Sequence, residues 1–168
     1  SRLFILLCVA ATPLLMGQFC GAPAPAPPVT RQLPSSLPAG VFSGRGTVDV
    51  IQTYADGQQV VVPLTATVTF EINDFGIPVV GGAEVAVGRT IMQEGIRVTY
   101  TRIEARGDQL VWHADVAGEL NGLTASGSAI YTLRAMSNDR LEYNYSVQYL
   151  DSNGVFYNGS ATLILHRQ

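Results

Sequence analysis

Residues 60–72 read VVVPLTATVTFEI, and this stretch decides the fold because apolar side chains occupy every second position. Successive side chains of a β-strand point to opposite faces of the sheet, so strict alternation predicts one buried and one solvated face. The apolar face holds Val60, Val62, Leu64, Ala66, Val68, Phe70 and Ile72, and the other face holds Val61, Pro63, Thr65, Thr67, Thr69 and Glu71. The stretch therefore predicts a half-buried antiparallel strand.

The same period of two continues on both sides of this stretch and reaches the last residues. Turn residues such as Asn121-Gly122 fill the short gaps and are typical of hairpin loops. Further strands are predicted at 42–54, 96–105, 109–119, 123–134, 140–150 and 155–166, with a weaker element at 83–87. No window after the first twenty residues shows helical periodicity. The sequence thus predicts an all-β domain, an antiparallel up-and-down meander of about eight strands.

One continuous apolar face must be hidden from water, and closing the meander into a small barrel hides it without leaving free edges. Barrel closure is therefore the first choice, and an open, strongly curved sheet is the alternative. Glycines on the apolar face fit places where a strand bends or a large neighbour needs room. These glycines are Gly44, Gly46, Gly118, Gly127 and Gly159.

Residues 1–39 have a different composition and predict a signal and a spacer. Arg2 followed by the apolar run 3–16 is typical of a secretory signal, assigned to residues 1–20. Residues 21–39 contain most of the prolines and predict an extended linker, which leaves the domain at 40–168. The domain is therefore expected outside the cytoplasm, secreted or held in the cell envelope.

Cys20 lies where this signal ends, and the chain has one other cysteine, Cys8. The sequence LMGQFCG around Cys20 resembles a bacterial lipoprotein signal, in which the cysteine is lipidated and becomes the new N-terminus. The resemblance implies a membrane partner reached through an N-terminal lipid anchor. Cleavage at the small residues near Ala22 and Ala24 is the alternative, and it would discard Cys20 with the signal.

The frame of the domain resembles lipocalin-like and avidin-like β-barrels. Gly40-Val41-Phe42 opens the first strand much as a Gly-x-Trp triplet opens those barrels, with Phe42 in the place of the tryptophan. Arg167 ends the last strand, where such barrels often place a basic residue across the aromatic ring. The resemblance implies an interior site for a small apolar ligand.

Residue types that carry chemistry are sparse. The net charge is −3 with ten Lys and Arg, so no basic face predicts nucleic-acid binding. His113 and His166 lie on polar strand faces without a nucleophile motif, and the acidic residues lack calcium-loop spacing. We therefore expect no catalytic residue, no metal and no cofactor, and interpret the protein as a non-enzyme. An enzyme that uses the barrel mouth is the least favoured alternative.

The seven tyrosines share the parity of the apolar residues in their strands. A buried phenol needs a hydrogen-bond partner, so these positions predict either a partly hydrated pocket or hydroxyl groups at the barrel rims. The candidate pocket residues are Trp112, Tyr100, Tyr131, Tyr143, Tyr145 and Tyr157.

Two arrangements of the apolar face remain open. With this face inside, the domain is a binding or structural module of the envelope, and a small apolar ligand is its expected partner. With this face toward lipid and the tyrosines as interfacial girdles, it is a small outer-membrane-type β-barrel.

Overall fold

The computed structural model describes residues 36–93, 95–120 and 122–168, and their regular structure is entirely β-strand. The predicted signal, Cys20 and most of the predicted linker lie outside these residues. The strands are β1 (Gly40–Thr53), β2 (Gln59–Ile72), β3 (Pro78–Val80), β4 (Ala83–Glu84), β5 (Thr90–Gln93), β6 (Ile96–Arg106), β7 (Gln109–Leu120), β8 (Leu123–Ser137), β9 (Arg140–Asp151) and β10 (Phe156–Arg167). No helix in this part of the chain is long and apolar enough to cross a membrane.

The strands form one antiparallel sheet in the order β4-β3-β2-β1-β10-β9-β8-β7-β6-β5. The all-β class and the up-and-down meander are confirmed, with seven long strands at the predicted positions. The weak element predicted at 83–87 contains β4. Sequence alternation did not predict β3 and β5, because strands of three and four residues are too short to show a period.

The sheet curls strongly into a half-barrel. Its first and last long strands meet, since Phe42 of β1 lies opposite both Phe70 of β2 and Arg167 of β10. The two ends of the sheet are β4 and β5. The apolar face is the inner one, because the Phe70 ring on β2 contacts Trp112 on β7 and Tyr143 on β9, strands that are not its neighbours in the sheet.

Two of the predicted glycines allow neighbouring strands to approach closely. A Cβ atom at Gly127 would lie 1.9 Å from the carbonyl oxygen of Gln148 on β9. A Cβ atom at Gly44 would lie 2.3 Å from the carbonyl oxygen of Ile164 on β10. These glycines therefore stand where the backbone of the neighbouring strand leaves no space for a side chain, and a bend at them stays a prediction.

We call the end of the half-barrel where β1 begins and β10 finishes the closed end. Leu37, from the last part of the predicted linker, is 5% exposed there, and the hydroxyl group of Ser36 donates to the carbonyl oxygen of Gly107. The guanidinium carbon of Arg167 lies 5.4 Å from the centre of the Phe42 ring. The predicted contact between this basic residue and the aromatic ring is thus present.

Candidate binding site

Five aromatic residues form a buried cluster on the inner face, which we call the aromatic cluster. Trp112 stacks on Tyr131 with ring centres 5.4 Å apart, and Tyr143 lies 5.7 Å from Tyr145. Phe70 meets Tyr143 edge-on at 5.0 Å and Trp112 at 6.1 Å. Each of the five is at most 7% exposed, so their rings pack as the centre of the hydrophobic core.

The candidate pocket residues fall into two places. Trp112, Tyr131, Tyr143 and Tyr145 belong to the aromatic cluster, and Tyr100 is buried on β6. Tyr157 is only half-buried and lies nearer the other end of the half-barrel, in a separate ring pair. The structure therefore brings four of the six together, and their role in holding a ligand stays a prediction.

The inner face of β2 changes character along the strand. Ala66, Val68, Phe70 and Ile72 are each at most 4% exposed, as the alternation predicts. Val60 has the same orientation by parity but is 40% exposed, and Val62 and Leu64 are only half-buried. β3 pairs only with Glu71 and Ile72, so residues 59–70 have β1 as their one paired neighbour in the described chain. Ala66, Val68 and Phe70 share this single neighbour and are buried, so the inner face becomes accessible only toward the start of β2.

We call the end of the half-barrel where β1 finishes and β10 begins the open end. Its inner face carries a pair of stacked tyrosines. The rings of Tyr149 and Tyr157 stack at 4.4 Å with their planes 8° apart. The Tyr157 hydroxyl group donates to Oδ2 of Asp151 at 3.1 Å. Oδ1 of Asp151 accepts the backbone N–H groups of Asn153 and Val155 at 2.9 and 3.0 Å. The carboxylate thus holds both the β9–β10 turn and the tyrosine pair in place.

Both paired tyrosines keep their protons at neutral pH. Burial raises the pKa of Tyr149 far above its usual value, and the neighbouring Tyr157 and Asp151 raise it further. Burial, followed by the hydrogen bond to Asp151, raises the pKa of Tyr157 to about 12. The two hydroxyl groups are therefore neutral beside a carboxylate.

Gln52 is a further polar residue of the open end, beside Asp151 and the two stacked tyrosines, and sequence reasoning missed it. Its side chain is 4% exposed on β1, directly opposite Val60 and Tyr157 in the register. Its Oε1 atom accepts the Tyr54 hydroxyl group at 3.1 Å, whereas its Nε2 atom has no hydrogen-bond partner among the described residues. A glutamine at an apolar-parity position, after Val48 and Val50, was the signal that could have revealed it.

The outer face carries a shallow depression of about 310 Å³ across β8, β9 and β10. Its lining combines hydroxyl and amide groups with the exposed Ile130, and an ion pair between Arg134 and Glu142 at 3.0 Å lies on the same face. The lining residues are Ile130, Thr132, Asn144, Tyr145, Ser146, Ser160, Ala161 and Thr162. Because Thr162 already donates to Asn144 and Asn144 to Glu142, much of this polarity is satisfied internally.

The described residues contain no group of three or more metal-ligating side chains. His113 is half-buried on β7 and His166 is exposed on β10, where their strand parity places them on the outer face. The chain matches no protein-family model, no curated protein and no solved structure.

Proposed function

We propose that this domain is a non-enzymatic extracytoplasmic binding module that takes a small, largely apolar ligand at the open end of its half-barrel. The observation that carries the proposal is the accessible inner face at the start of β2, where Val60 is 40% exposed and Val62 and Leu64 are half-buried. Large apolar side chains on the concave side of a curled sheet ordinarily meet a packed core. A concave apolar surface that water reaches is the usual form of a small-molecule site.

The surroundings of this surface support the same function. The Tyr149–Tyr157 pair supplies flat apolar walls, and Gln52 supplies a single polar group opposite Val60. Ligand sites typically combine such walls with few polar groups. The predicted secretory signal supports a location outside the cytoplasm, and lipidation of Cys20 would hold the domain in the cell envelope.

A structural role is the second candidate, and the aromatic cluster favours it. Trp112, Tyr131 and Tyr143 are at most 3% exposed and pack ring against ring. A core filled in this way is what a rigid scaffold requires. Under this function the open end would hold only water.

Titration of the full chain with N-phenyl-1-naphthylamine, an uncharged apolar dye that fluoresces when it leaves water, tests the proposal. We expect saturable binding that Val62→Trp weakens by about tenfold, or 1.4 kcal/mol, because the larger side chain fills the inner face. Val61→Trp is the matched control, since Val61 is 58% exposed on the outer face. Binding that both variants leave unchanged would contradict the proposal and favour the scaffold.

A further inference from the structure

We propose that Gln52 is the polar anchor of the open end and selects uncharged ligands that present one hydrogen-bond-accepting oxygen beside an apolar body. This inference rests on the proposed function and adds the chemical class of the ligand. It starts from a buried amide group whose hydrogen bonds are incomplete.

The hydrogen bonding of the Gln52 side-chain amide is incomplete whichever way the amide is oriented. Tyr54 satisfies one of its two terminal atoms, and the other has no partner among the described residues. Exchanging the nitrogen and the oxygen would only change which atom is left, because the Tyr54 hydroxyl group can donate or accept. A buried polar group without a partner is unfavourable, so its presence in a folded protein requires an explanation such as a bound molecule.

Neighbouring polar groups do not compete for this position. The Tyr157 hydroxyl group is engaged by Asp151, and both oxygens of Asp151 are occupied by Tyr157 and the turn. In the arrangement observed, Tyr54 already donates to Gln52. Among Gln52, Tyr54, Tyr157 and Asp151, Nε2 of Gln52 is therefore the donor left for a ligand.

The charge of the site excludes an anionic ligand group. Asp151 is the one charged residue among the buried residues of the described chain, and it lies one hydrogen bond from the Tyr157 ring beside Gln52. A carboxylate or phosphate placed against Gln52 would meet this negative charge in a poorly solvated place. A ketone, ester or amide oxygen accepts the same hydrogen bond without repulsion.

The apolar walls define the rest of the ligand. Val60, Val62 and Leu64 lie on the β2 side of Gln52, and the Tyr149–Tyr157 pair lies on the β10 and β9 side.

Calorimetric titration with three naphthalenes of similar shape separates the requirement for an acceptor oxygen from the requirement for a neutral ligand. 2-Acetylnaphthalene carries a neutral acceptor oxygen, 2-ethylnaphthalene carries none, and 2-naphthoate carries a negative charge.

We expect the full chain to bind 2-acetylnaphthalene about tenfold more tightly than either of the others, the size of one good hydrogen bond. In Gln52→Leu the preference over 2-ethylnaphthalene should fall to within twofold, because the donor is gone and the volume is kept. Gln148→Leu is the matched control, since Gln148 is exposed on the outer face of β9, and it should keep the preference.

The outcomes separate this inference from the proposed function. If 2-ethylnaphthalene binds, Val62→Trp blocks it and the ketone has no advantage, then the module stands and the role of Gln52 is wrong. If none of the three binds saturably, both are wrong. Should Gln52→Leu fail to fold, the nuclear magnetic resonance signals of the Gln52 side-chain amide in the unaltered chain decide. They must shift with the ketone and not with the hydrocarbon, and the absence of that difference would overturn the inference.

Discussion

The two halves of β2 carry the same alternation and have opposite surroundings. From Ala66 to Ile72 the inner side chains are almost fully buried, whereas Val60 on the same face is 40% exposed. Alternation determines only the direction in which a side chain points. Burial also requires side chains from strands on the other side of the curled sheet. At Phe70 these are the rings of Trp112 and Tyr143.

The same contrast extends over the whole inner face. The aromatic cluster fills the part of the half-barrel that Phe70 faces, while the open end holds Gln52, Asp151 and the Tyr149–Tyr157 pair. Apolar burial at the first place supplies stability. At the open end, polar groups and an accessible apolar side chain take the place of this packing, so we expect a lower local stability there.

The largest expected effect comes from one substitution made in both halves of β2. Val68→Asp should cost at least about 4 kcal/mol, because it buries an unpaired carboxylate at a side chain that is 1% exposed. Val60→Asp should cost at most about 1 kcal/mol, because Val60 is 40% exposed and the new carboxylate can turn to water, away from the buried Gln52 and Asp151. Urea unfolding followed by circular dichroism measures both free energies of unfolding. Similar losses for the two variants would show that the halves of β2 do not differ in burial.

A second substitution tests whether the aromatic cluster carries the core. Phe70→Ala should lower the free energy of unfolding by about 3–5 kcal/mol, since it removes the ring that joins β2 to Trp112 and Tyr143 and leaves a cavity. Phe156→Ala is the control, because Phe156 is 38% exposed on β10, and it should cost at most about 1 kcal/mol. Thermal unfolding of both variants gives the comparison. A tolerant Phe70 position would mean that the half-barrel is held by its hydrogen bonds rather than by this cluster.

The long strands could be predicted from the sequence because each contains enough alternating residues to define a face, as 60–72 does. The short β3 could not, because three residues are too few to show a period. Since β3 pairs only with Glu71 and Ile72, the rest of β2 lacks a second neighbour in the described chain. Nothing within VVVPLTATVTFEI distinguishes Val60 from Val68, since both pair with β1 alone and they differ in that Val68 packs into the hydrophobic core.

The candidate site shows the same limit. The parity of the tyrosines placed them on the apolar face, and Tyr131, Tyr143 and Tyr145 are buried there. Parity could not separate rings that fill the core from Tyr157, which pairs with Tyr149 near the open end. Gln52 was detectable as a polar residue at an apolar position. Its unsatisfied Nε2 atom, however, depends on where Tyr54 and its other neighbours lie in three dimensions.

The smallest expected effect is a pH dependence that belongs to the open end. Tyr157 has a pKa of about 12 in the folded protein, against 10.0 for an unperturbed tyrosine, because burial and the hydrogen bond to Asp151 favour its neutral form. Below pH 10 the Tyr157 hydroxyl group keeps its proton in both the folded and the unfolded protein, so its full contribution to the free energy of unfolding is present. Between pH 10 and 12 the unfolded chain loses the proton first, and the stability falls as the pH rises.

The change should stay below about 1 kcal/mol at Tyr157, because solvent screens this half-buried group. Thermal unfolding midpoints at pH 9, 10, 11 and 12 should therefore decline less steeply in Tyr157→Phe than in the unaltered chain. Tyr149→Phe should also reduce the decline, since burial raises the pKa of that hydroxyl group as well. Parallel declines in all three proteins would mean that both hydroxyl groups are fully solvated in the folded protein, and the partial burial beside Gln52 on which its selectivity depends would then be absent.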